Sequence, residues 1–446
     1  MNGTLDNFSM KKCILFLQIL SLGALQAQTF TINNNQIVDP CSNVFIPRGV
    51  NYSIADDWNF PSNLNNGNER SSEIIKANPN TVRIQWYVDY GQATRPALTL
   101  SSLDSVISRF AKAKIVSILE LHDFTHIHTD TAAFNNVIID WWKEPAVLTL
   151  INKHKSHLIL NIANEYGPAL YPAPNYTLNP NYSSQINTWV SHIKNCILYL
   201  RGAGITVPIM IDAANYGMDY QAVIDHGNDF KTQDPLSRII MSCHAYWGEN
   251  ASGMANIVNQ LANLTVPVVF GEVGNLDFSC NPIEMDALLA RATIKKMGWL
   301  AWTWNRDECA TRNMTSNITN DANSSTDGRF SSLTSYGQTI VNNATFGLAA
   351  KADKAQFGCA TGIDDNAESL YFHIYPIPAK DKLTIESSFI SDENNAIIYD
   401  IHGRILQRFV VNDLKSTIDI SNLLPGSYTL SLSSETRKER KGFYVY

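Results

Sequence analysis

Apolar segments and amphipathic segments alternate over most of the chain. The apolar segments are short and almost free of polar residues, which is typical of strands buried on both faces of a parallel sheet. The segments between them place apolar residues at helical spacing, as at 103–113, 186–200 and 282–296. The apolar segments are 46–51, 81–86, 115–123, 158–165, 207–212, 239–246, 266–272 and 299–304.

Eight such β/α units, over about 300 residues, predict an α/β fold, a (β/α)8 TIM barrel with extended loops at its top. A doubly wound parallel sheet is the alternative, but that fold usually has a glycine-rich nucleotide loop after its first strand. No such loop follows residue 51. Before the first unit, residues 29–46 predict a short β ribbon with a polar turn in its middle.

The pattern changes near the C-terminus. Residues 349–369 are mostly small and polar, as expected of a linker. Residues 370–446 contain short runs in which apolar and polar positions alternate, and this predicts a small all-β sandwich domain of antiparallel strands. The barrel domain is therefore assigned to 28–348.

Residues 1–27 have the layout of a secretory signal peptide. Lys11 and Lys12 precede an apolar run, 14–25, and small residues surround Ala27. The run is too short to span a bilayer well, so we expect cleavage near Ala27 rather than a membrane anchor. Met10 is a competing start for the chain.

Composition and charge indicate an ordinary globular protein. Hydrophobic residues make up 45% and charged residues 17% of the 446 residues, and the net charge is -7. This balance argues against disorder and against a nucleic-acid partner. Six of the 7 cysteines follow the signal peptide, and an even number in a secreted chain permits disulfides. We predict a Cys280–Cys309 pair, whereas Cys196 and Cys243 have the alternative of being buried apolar residues.

Most of the apolar runs end in polar side chains. Two of these ends are Glu165 and Glu272, and burying a carboxylate is costly without a partner. Two carboxylates that face each other across a barrel mouth suit glycoside hydrolysis. Arg83 and the hydroxyl of Tyr246 are candidates to hold Glu272 in its ionised form. The other polar ends are Asn51, His122, Asp123, Asn164, Asp212, His244, Trp302 and Trp304.

Other interpretations of these residues stay open. One is a structural ion-pair network in which Arg83 neutralises the two glutamates. Another is a metal site at 122–128, which reads His-Asp-Phe-Thr-His-Ile-His. Histidine spacing alone is a weak signal, and no second ligand set matches it. We therefore predict an enzyme without a metal ion or other cofactor, with a non-catalytic sugar-binding protein as a further alternative.

Short motifs along the barrel segment resemble, in order, those of glycoside hydrolase family 5. They are Arg48-Gly49-Val50-Asn51, Asn80-Thr81-Val82-Arg83, Leu119-Glu120-Leu121-His122-Asp123, Asn161-Ile162-Ala163-Asn164-Glu165, His244-Ala245-Tyr246, Gly271-Glu272 and Gly298-Trp299-Leu300-Ala301-Trp302. The resemblance implies a retaining enzyme with Glu165 as acid/base and Glu272 as nucleophile. It also implies that Arg83, His122, Asn164, His244, Tyr246 and Trp302 surround the sugar at the cleaved bond. Trp304 competes with Trp302 for the inward-facing position.

Some of these phrases resemble bacterial endo-β-mannanases more than endoglucanases, namely 119–123, 211–217 and 299–304. This implies a β-1,4-linked polysaccharide as substrate, β-mannan first, with β-glucan and endo-β-1,4-glucanase (cellulase) activity as the alternative. The chain departs from that subgroup in three places. Tyr166-Gly167 follows Glu165 where Pro is common, Tyr216 replaces a frequent Trp, and 305–308 lacks a glycine-containing ending.

The C-terminal segment resembles the sorting domain of the type IX secretion system. The matching phrases are Tyr375-Pro376-Ile377-Pro378-Ala379, Lys382-Leu383-Thr384-Ile385, Ile398-Tyr399-Asp400-Ile401-His402-Gly403-Arg404 and Leu424-Pro425-Gly426-Ser427-Tyr428. The resemblance implies type IX secretion machinery as a partner, removal of the tail, and a secreted or surface-attached product. A carbohydrate-binding module is the competing idea, although its row of exposed aromatic residues is missing. A monomer is the default expectation.

Overall fold

The structure is a computed structural model that falls into two compact units, Met1–Gly358 and Cys359–Tyr446. The predicted signal peptide, 1–27, lies outside the described residues. The described residues are 29–54, 70–88, 99–125, 130–173, 175–277, 279–304, 308–309, 314–319, 333–357, 372–387, 395–411, 413, 415–433 and 438–446.

Eight parallel strands form a closed barrel in the first unit. Each strand pairs with the next one along the chain, and the last pairs with the first. The prediction of a (β/α)8 barrel is confirmed, because a doubly wound sheet would be open at two edges. The strands are β1 (Arg48–Tyr52), β2 (Thr81–Trp86), β3 (Val116–Leu121), β4 (Leu158–Asn161), β5 (Ile209–Asp212), β6 (Ile239–His244), β7 (Val268–Val273) and β8 (Gly298–Ala301).

Helices lie between the strands, and side-chain caps fix several of their starts. Thr99 and Asp219, for example, each accept a backbone N–H of the helix they precede. Among the described residues, no helix is long and apolar enough to cross a bilayer. The helices are α1 (Ser71–Lys76), α2 (Leu100–Lys112), α3 (Thr131–Phe134) with a π-helical turn Asn135–Ile139, α4 (Asp140–Lys143), α5 (Pro145–His154), α6 (Tyr182–Gly202), α7 (Tyr220–Gln233), α8 (Ala251–Leu261), α9 (Met285–Ile294), α10 (Ser335–Asn342) and α11 (Leu348–Lys351).

Side chains alternate along the barrel strands between the helix layer and the barrel interior. On β2, Val82 and Ile84 join the core shared with the helices, whereas Arg83 reaches across the interior to Asp212 and Glu272. The lower part of the interior is apolar and the upper part is polar. This layering places the polar side chains at the carboxyl ends of the strands.

The short β ribbon that the sequence predicts is present, and it covers the bottom of the barrel. Its strands, Thr31–Asn33, Gln36–Val38 and Val44–Phe45, pair antiparallel. Phe30 and Phe45 lie with ring centroids 5.2 Å apart and are both buried. They form one apolar cluster with interior residues of the barrel: Val116, Ile118, Ile159, Met210, Ile240, Val269 and Leu300.

The first unit extends beyond the predicted boundary at residue 348. Ala352 and Ala355 are buried, and Phe357 stacks on His157 with ring centroids 3.6 Å apart. The backbone carbonyl of Asp353 accepts a hydrogen bond from the side chain of Asn80 at 2.8 Å. Residues 349–357 are therefore part of the packed unit, and a linker at 349–369 is wrong for these nine positions. Residues 358–371 lie outside the described part of the chain.

The second unit contains two antiparallel sheets that share one apolar core. Leu383 and Ile385 contribute to this core from the first sheet, and Ile398, Leu430 and Phe443 contribute from the second. The predicted small β sandwich is confirmed. The strands are Phe372–Tyr375, Lys382–Ser387 and Lys415–Asp419 in the first sheet, and Ile405–Val410, Asn395–Tyr399, Gly426–Ser433 and Lys438–Val445 in the second.

Cysteine use follows the predictions where the structure describes it. Cys280 is disulfide-bonded, as the predicted Cys280–Cys309 pair requires, but that pairing itself stays a prediction. Cys41 is disulfide-bonded as well. Cys196 and Cys243 are free and buried, so they act as apolar core residues.

Candidate active site

The two glutamates lie at the carboxyl ends of β4 and β7. Glu165 is in the turn after β4, and its backbone is left-handed, with φ of 50°, which is uncommon for a residue other than glycine. Glu272 lies within β7, at a point where the pairing with β6 and β8 shifts register. Such a bulge re-aims a side chain, here toward the mouth of the barrel. Strand β4 ends at Asn161, although the apolar run continues to Glu165, so the strand is shorter than the run indicates.

The carboxylates of Glu165 and Glu272 lie close together. One oxygen of each, and a ring nitrogen of His244, are all within 4.8 Å of one another. Retaining glycosidases hold their two carboxyl groups about 5–5.5 Å apart, whereas inverting enzymes need about 6.5–9.5 Å to fit a water molecule. The observed spacing fits the retaining arrangement.

Arg83 is fully buried and holds the base of the site together. Its Nη1 donates to Glu272 at 2.8 Å, and its Nη2 donates to Asn164 at 2.7 Å and to Asp212 at 3.1 Å. Burial alone would lower the pKa of Arg83, but the charges of Glu120 and three further carboxylates raise the pKa above its ordinary value. Arg83 therefore stays positively charged.

His244 connects the two glutamates. Its Nδ1 lies 2.7 Å from Glu165 and 3.5 Å from Glu272, and its Nε2 lies 3.3 Å from Asp212. Burial lowers the pKa of His244, but the negative charges of Glu272 and Asp212 outweigh burial and raise the pKa to about 10. At neutral pH both ring nitrogens carry a proton, so Nδ1 donates to Glu165. One oxygen of Glu165 thus accepts a hydrogen bond from His244, and one oxygen of Glu272 accepts a hydrogen bond from Arg83.

Glu272 has the partners that the sequence predicts for it. Besides the Arg83 contact, its Oε2 accepts a hydrogen bond from the Tyr246 hydroxyl at 2.9 Å. Burial raises the pKa of Glu272 above its ordinary value, although the charges of His244 and Arg83 act in the opposite direction. Arg83 and Tyr246 both contact the ionised oxygens, so they favour the form that a nucleophile needs.

Sequence reasoning gave no role to two residues beneath the glutamates, Asp212 and Asn161. Asp212 accepts the backbone N–H of Glu165 at 3.1 Å, and Asn161 accepts from Nε of Arg83 at 3.0 Å and donates to Asp212 at 3.2 Å. Burial raises the pKa of Asp212, but His244 and Arg83 hold the pKa well below its usual range. Strand alternation was the available signal, since Asn161 and Asp212 are both in the inward phase of their strands.

His122 and Trp302 line one side of the site. Their rings are nearly parallel, with centroids 6.3 Å apart and planes 15° apart. Nδ1 of His122 lies 2.9 Å from Glu120. Burial lowers the pKa of His122, but the charge of Glu120 raises it above its ordinary value. Trp302 is partly exposed and Trp304 is fully buried, so Trp302 is the one of the two that a sugar can reach.

The predicted metal interpretation falls partly outside the described residues, because His126 and His128 are not among them. In the described part of the chain, the cluster that could bind a cation is formed by Glu165, His244 and Glu272. Two of its members are the glutamates that the sequence predicts to be catalytic, and His244 contacts both of them. The same cluster meets the needs of two catalytic carboxylates better.

A comparison with protein families identifies the barrel. Residues 41–308 match the family described as Cellulase (glycosyl hydrolase family 5). The chain belongs to glycoside hydrolase family 5. It is therefore a glycoside hydrolase, as the ordered motifs predict. Residues 373–445 of this family 5 chain match the secretion system C-terminal sorting domain, which confirms the resemblance of the tail.

Similar proteins include two mannan endo-1,4-beta-mannosidases. The one from Cellvibrio japonicus (strain Ueda107) is 27% identical over 341 residues, 75% of this chain and 71% of that protein. The one from Salipaludibacillus agaradhaerens is 29% identical over 280 residues, 62% of this chain and 81% of that protein. The solved mannanase catalytic domain from Streptomyces sp. SirexAA-E matches with a TM-score of 0.59 at 21% identity, covering 79% of this chain and 99% of that one. At this identity, the structural match supports the shared fold.

Proposed function

We propose that this family 5 enzyme is an endo-acting, retaining hydrolase of β-1,4-linked mannan. One observation carries the mechanism. At the mouth of the barrel, one carboxylate oxygen of Glu165, one of Glu272 and a ring nitrogen of His244 lie within 4.8 Å of one another. The substrate proposal is supported by the mannan-cleaving relatives and by the motifs that resemble endo-β-mannanases. Neither proposed step needs a metal ion.

In the first step, the Glu272 carboxylate attacks the anomeric carbon. The bond between this carbon and the leaving oxygen breaks as the proton of Glu165 moves to that oxygen. The positive charge on His244 then stabilises the carboxylate that Glu165 has become. Arg83 and Tyr246 orient Glu272 for the attack, since both contact its oxygens.

In the second step, water attacks the anomeric carbon of the glycosyl-enzyme ester. Glu165 accepts a proton from that water, the bond to Glu272 breaks, and the sugar leaves with its original anomeric configuration. Asn164 donates one amide hydrogen to Thr125 and accepts from Arg83, which leaves its second amide hydrogen for a sugar hydroxyl. Trp302, partly exposed beside His122, is our candidate for stacking on the sugar face.

The mechanism is tested by Glu272→Gln and Glu165→Gln. Each variant should lose at least about 100-fold in turnover, because neither amide can perform its carboxylate's role. Circular dichroism and thermal unfolding should show that both variants fold. The configuration of the first product, followed by NMR, should be β. Near-wild-type turnover in either variant, or an α product, would contradict the mechanism.

The substrate is tested by product analysis on β-mannan, glucomannan and carboxymethylcellulose. We expect a series of manno-oligosaccharides from mannan and slower cleavage of the cellulose derivative. Faster cleavage of the cellulose derivative would instead support the endo-β-1,4-glucanase alternative, which the cellulase description of the matched family favours. A chelator in a parallel assay should leave the activity unchanged. Loss of activity in the presence of the chelator would favour a metal-dependent hydrolase.

We further propose that the tail directs export of the enzyme through a type IX secretion system and is then removed. The match of residues 373–445 to a secretion sorting domain supports this proposal. In a host that carries the system, deletion of these residues should retain the enzyme inside the cell envelope. Equal amounts of wild-type and shortened enzyme in the medium would contradict it.

A further inference from the structure

The backbone on either side of Glu165 is held in very different ways. On the N-terminal side, Asn164 is fixed by Arg83 and Thr125, inside the barrel. On the C-terminal side lies Tyr166, at a position where the related motif commonly has proline. Glu165 itself is in the left-handed region, so the direction of its carboxylate depends on both neighbours.

Tyr166 is locked by three different contacts. It is 3% exposed, and its ring stacks on Phe134 with centroids 3.9 Å apart and planes 28° apart. Its carbonyl oxygen accepts a hydrogen bond from the indole N–H of Trp189 at 2.9 Å. Its hydroxyl lies 2.9 Å from Nδ1 of His192. The residue next to Glu165 is thus anchored outside the barrel, against α3 and α6.

The contacts of His192 determine which group donates. Its Nε2 lies 3.0 Å from the side-chain oxygen of Asn135, which can only accept. Nε2 therefore carries the ring proton, Nδ1 offers its lone pair, and the Tyr166 hydroxyl donates to it. Burial lowers the pKa of His192, which favours this neutral form. Asn135 begins the π-helical turn, a feature that often accompanies functional sites.

We propose that Tyr166 is a positioning residue that aims the acid/base Glu165 at the leaving oxygen. It does so through its hydrogen bond to His192, which in turn donates to Asn135. A proline at this position would fix its own φ, whereas in this chain the contacts of Tyr166 hold the backbone after Glu165. The inference rests on the proposed role of Glu165. Small displacements of a catalytic group lower the rate steeply, so a loosened anchor should affect the step that needs the proton.

The test compares leaving groups, using aryl β-disaccharides of whichever sugar the enzyme cleaves. A dinitrophenyl leaving group departs without a proton, whereas a phenyl leaving group needs the acid. For Tyr166→Phe in the full chain, we expect kcat/KM to fall about 10-fold or more on the phenyl substrate and less than about 2-fold on the dinitrophenyl substrate. The ratio kcat/KM is used because it reports only the steps up to departure of the aryl group.

Two further variants separate positioning from general damage. Tyr182→Phe is the matched control, because it removes a hydroxyl that donates to Asp219 from α6, the helix that also carries His192. Any change in kcat/KM in this variant should be the same on the phenyl and the dinitrophenyl substrate. His192→Leu should mimic Tyr166→Phe, and the double variant should lose no more than either single one, because both break the same hydrogen bond. Equal losses on both substrates for Tyr166→Phe, or additive losses in the double variant, would overturn the proposal.

Glu165→Gln in the same assay keeps the two proposals distinguishable. If Glu165→Gln responds strongly to the leaving group and Tyr166→Phe does not, the positioning role is wrong and the acid/base role stands. If Glu165→Gln shows no dependence on the leaving group, the acid/base assignment itself is wrong.

Discussion

In the upper part of the barrel, two positively charged side chains contact a larger number of acidic side chains. Arg83 and His244 lie within 4.0 Å of four acidic side chains between them: Glu120, Glu165, Asp212 and Glu272. Buried charges are tolerated only when they are paired, so removing one member should disturb the others. The predictions for single residues follow from this coupling.

Asp212→Asn should lower kcat by about 100-fold, although Asp212 does not take part in the proposed bond-breaking steps. The variant removes the charge that holds Arg83, His244 and the N–H of Glu165 in place. Steady-state kinetics on mannan would measure the effect. Asp234→Asn is the matched control, since Asp234 is equally buried and pairs with Arg201 away from the site. A similar loss of activity in the control would show that the effect is not specific to the site.

Stability should fall at alkaline pH because of His244. Its pKa is raised from 6.5 to about 10, so its contribution to folding is fully present below about pH 6.5 and is lost as the pH rises through about 10. Urea unfolding of the wild type at a series of pH values between these limits should show the decline. His244→Gln should be less stable at neutral pH and should show a flatter decline. Parallel declines in the two proteins would contradict this assignment.

Among the structural elements, the N-terminal ribbon has a role separate from the chemistry. It closes the end of the barrel opposite the glutamates, by packing Phe30, Ile37 and Phe45 under the interior. Active sites of this fold lie at the carboxyl ends of the strands, whereas the other end serves stability. Stability and activity should therefore respond differently to changes in the ribbon.

Phe45→Ala should lower the free energy of unfolding by about 3–5 kcal/mol, because it leaves a cavity beneath the barrel. Its neighbour Val44 is 49% exposed, and Val44→Ala should change stability by less than about 0.5 kcal/mol. Urea unfolding measures both, and kcat at a temperature where both variants are folded should equal the wild-type value. A reduced kcat for folded Phe45→Ala would mean that the ribbon also shapes the active site.

At the scale of the whole molecule, the chain separates into a barrel unit and a β sandwich, each with its own apolar core. The barrel unit contains every residue of the candidate site. This predicts that hydrolysis needs the first unit alone, provided that it is cut where its packing ends.

Shortened chains test where the packing ends. A chain that stops after Gly358 should keep the wild-type kcat on soluble mannan. A chain that stops after Leu348 should lose at least about 2 kcal/mol of stability, because it removes the buried side chains of Ala352 and Ala355 and the partly buried ring of Phe357. Thermal unfolding and kinetics of the two chains would measure both effects. If the two chains were equally stable, the linker would begin at residue 349, as the sequence predicts.

Local patterns in the sequence are enough to predict the barrel, the sandwich and the two glutamates. Strand burial and helix periodicity depend on neighbouring residues, so they can be read from short segments such as 81–86 or 186–200. A carboxylate at the end of an apolar run is likewise a local signal. The ordered motifs predict glycoside hydrolase family 5, and the match of residues 41–308 to that family confirms the prediction.

Contacts between distant residues were decided by the tertiary structure. The hydrogen bond from the backbone N–H of Glu165 to Asp212 and the charge on His244 both depend on distances across the barrel. The choice of Trp302 over Trp304 for the mouth depends on how the chain leaves β8. The sequence by itself thus determined the elements and the acids, because these follow from local burial and spacing. The folded structure decided their partners, their protonation and the anchoring of Tyr166, because electrostatics and packing act through space.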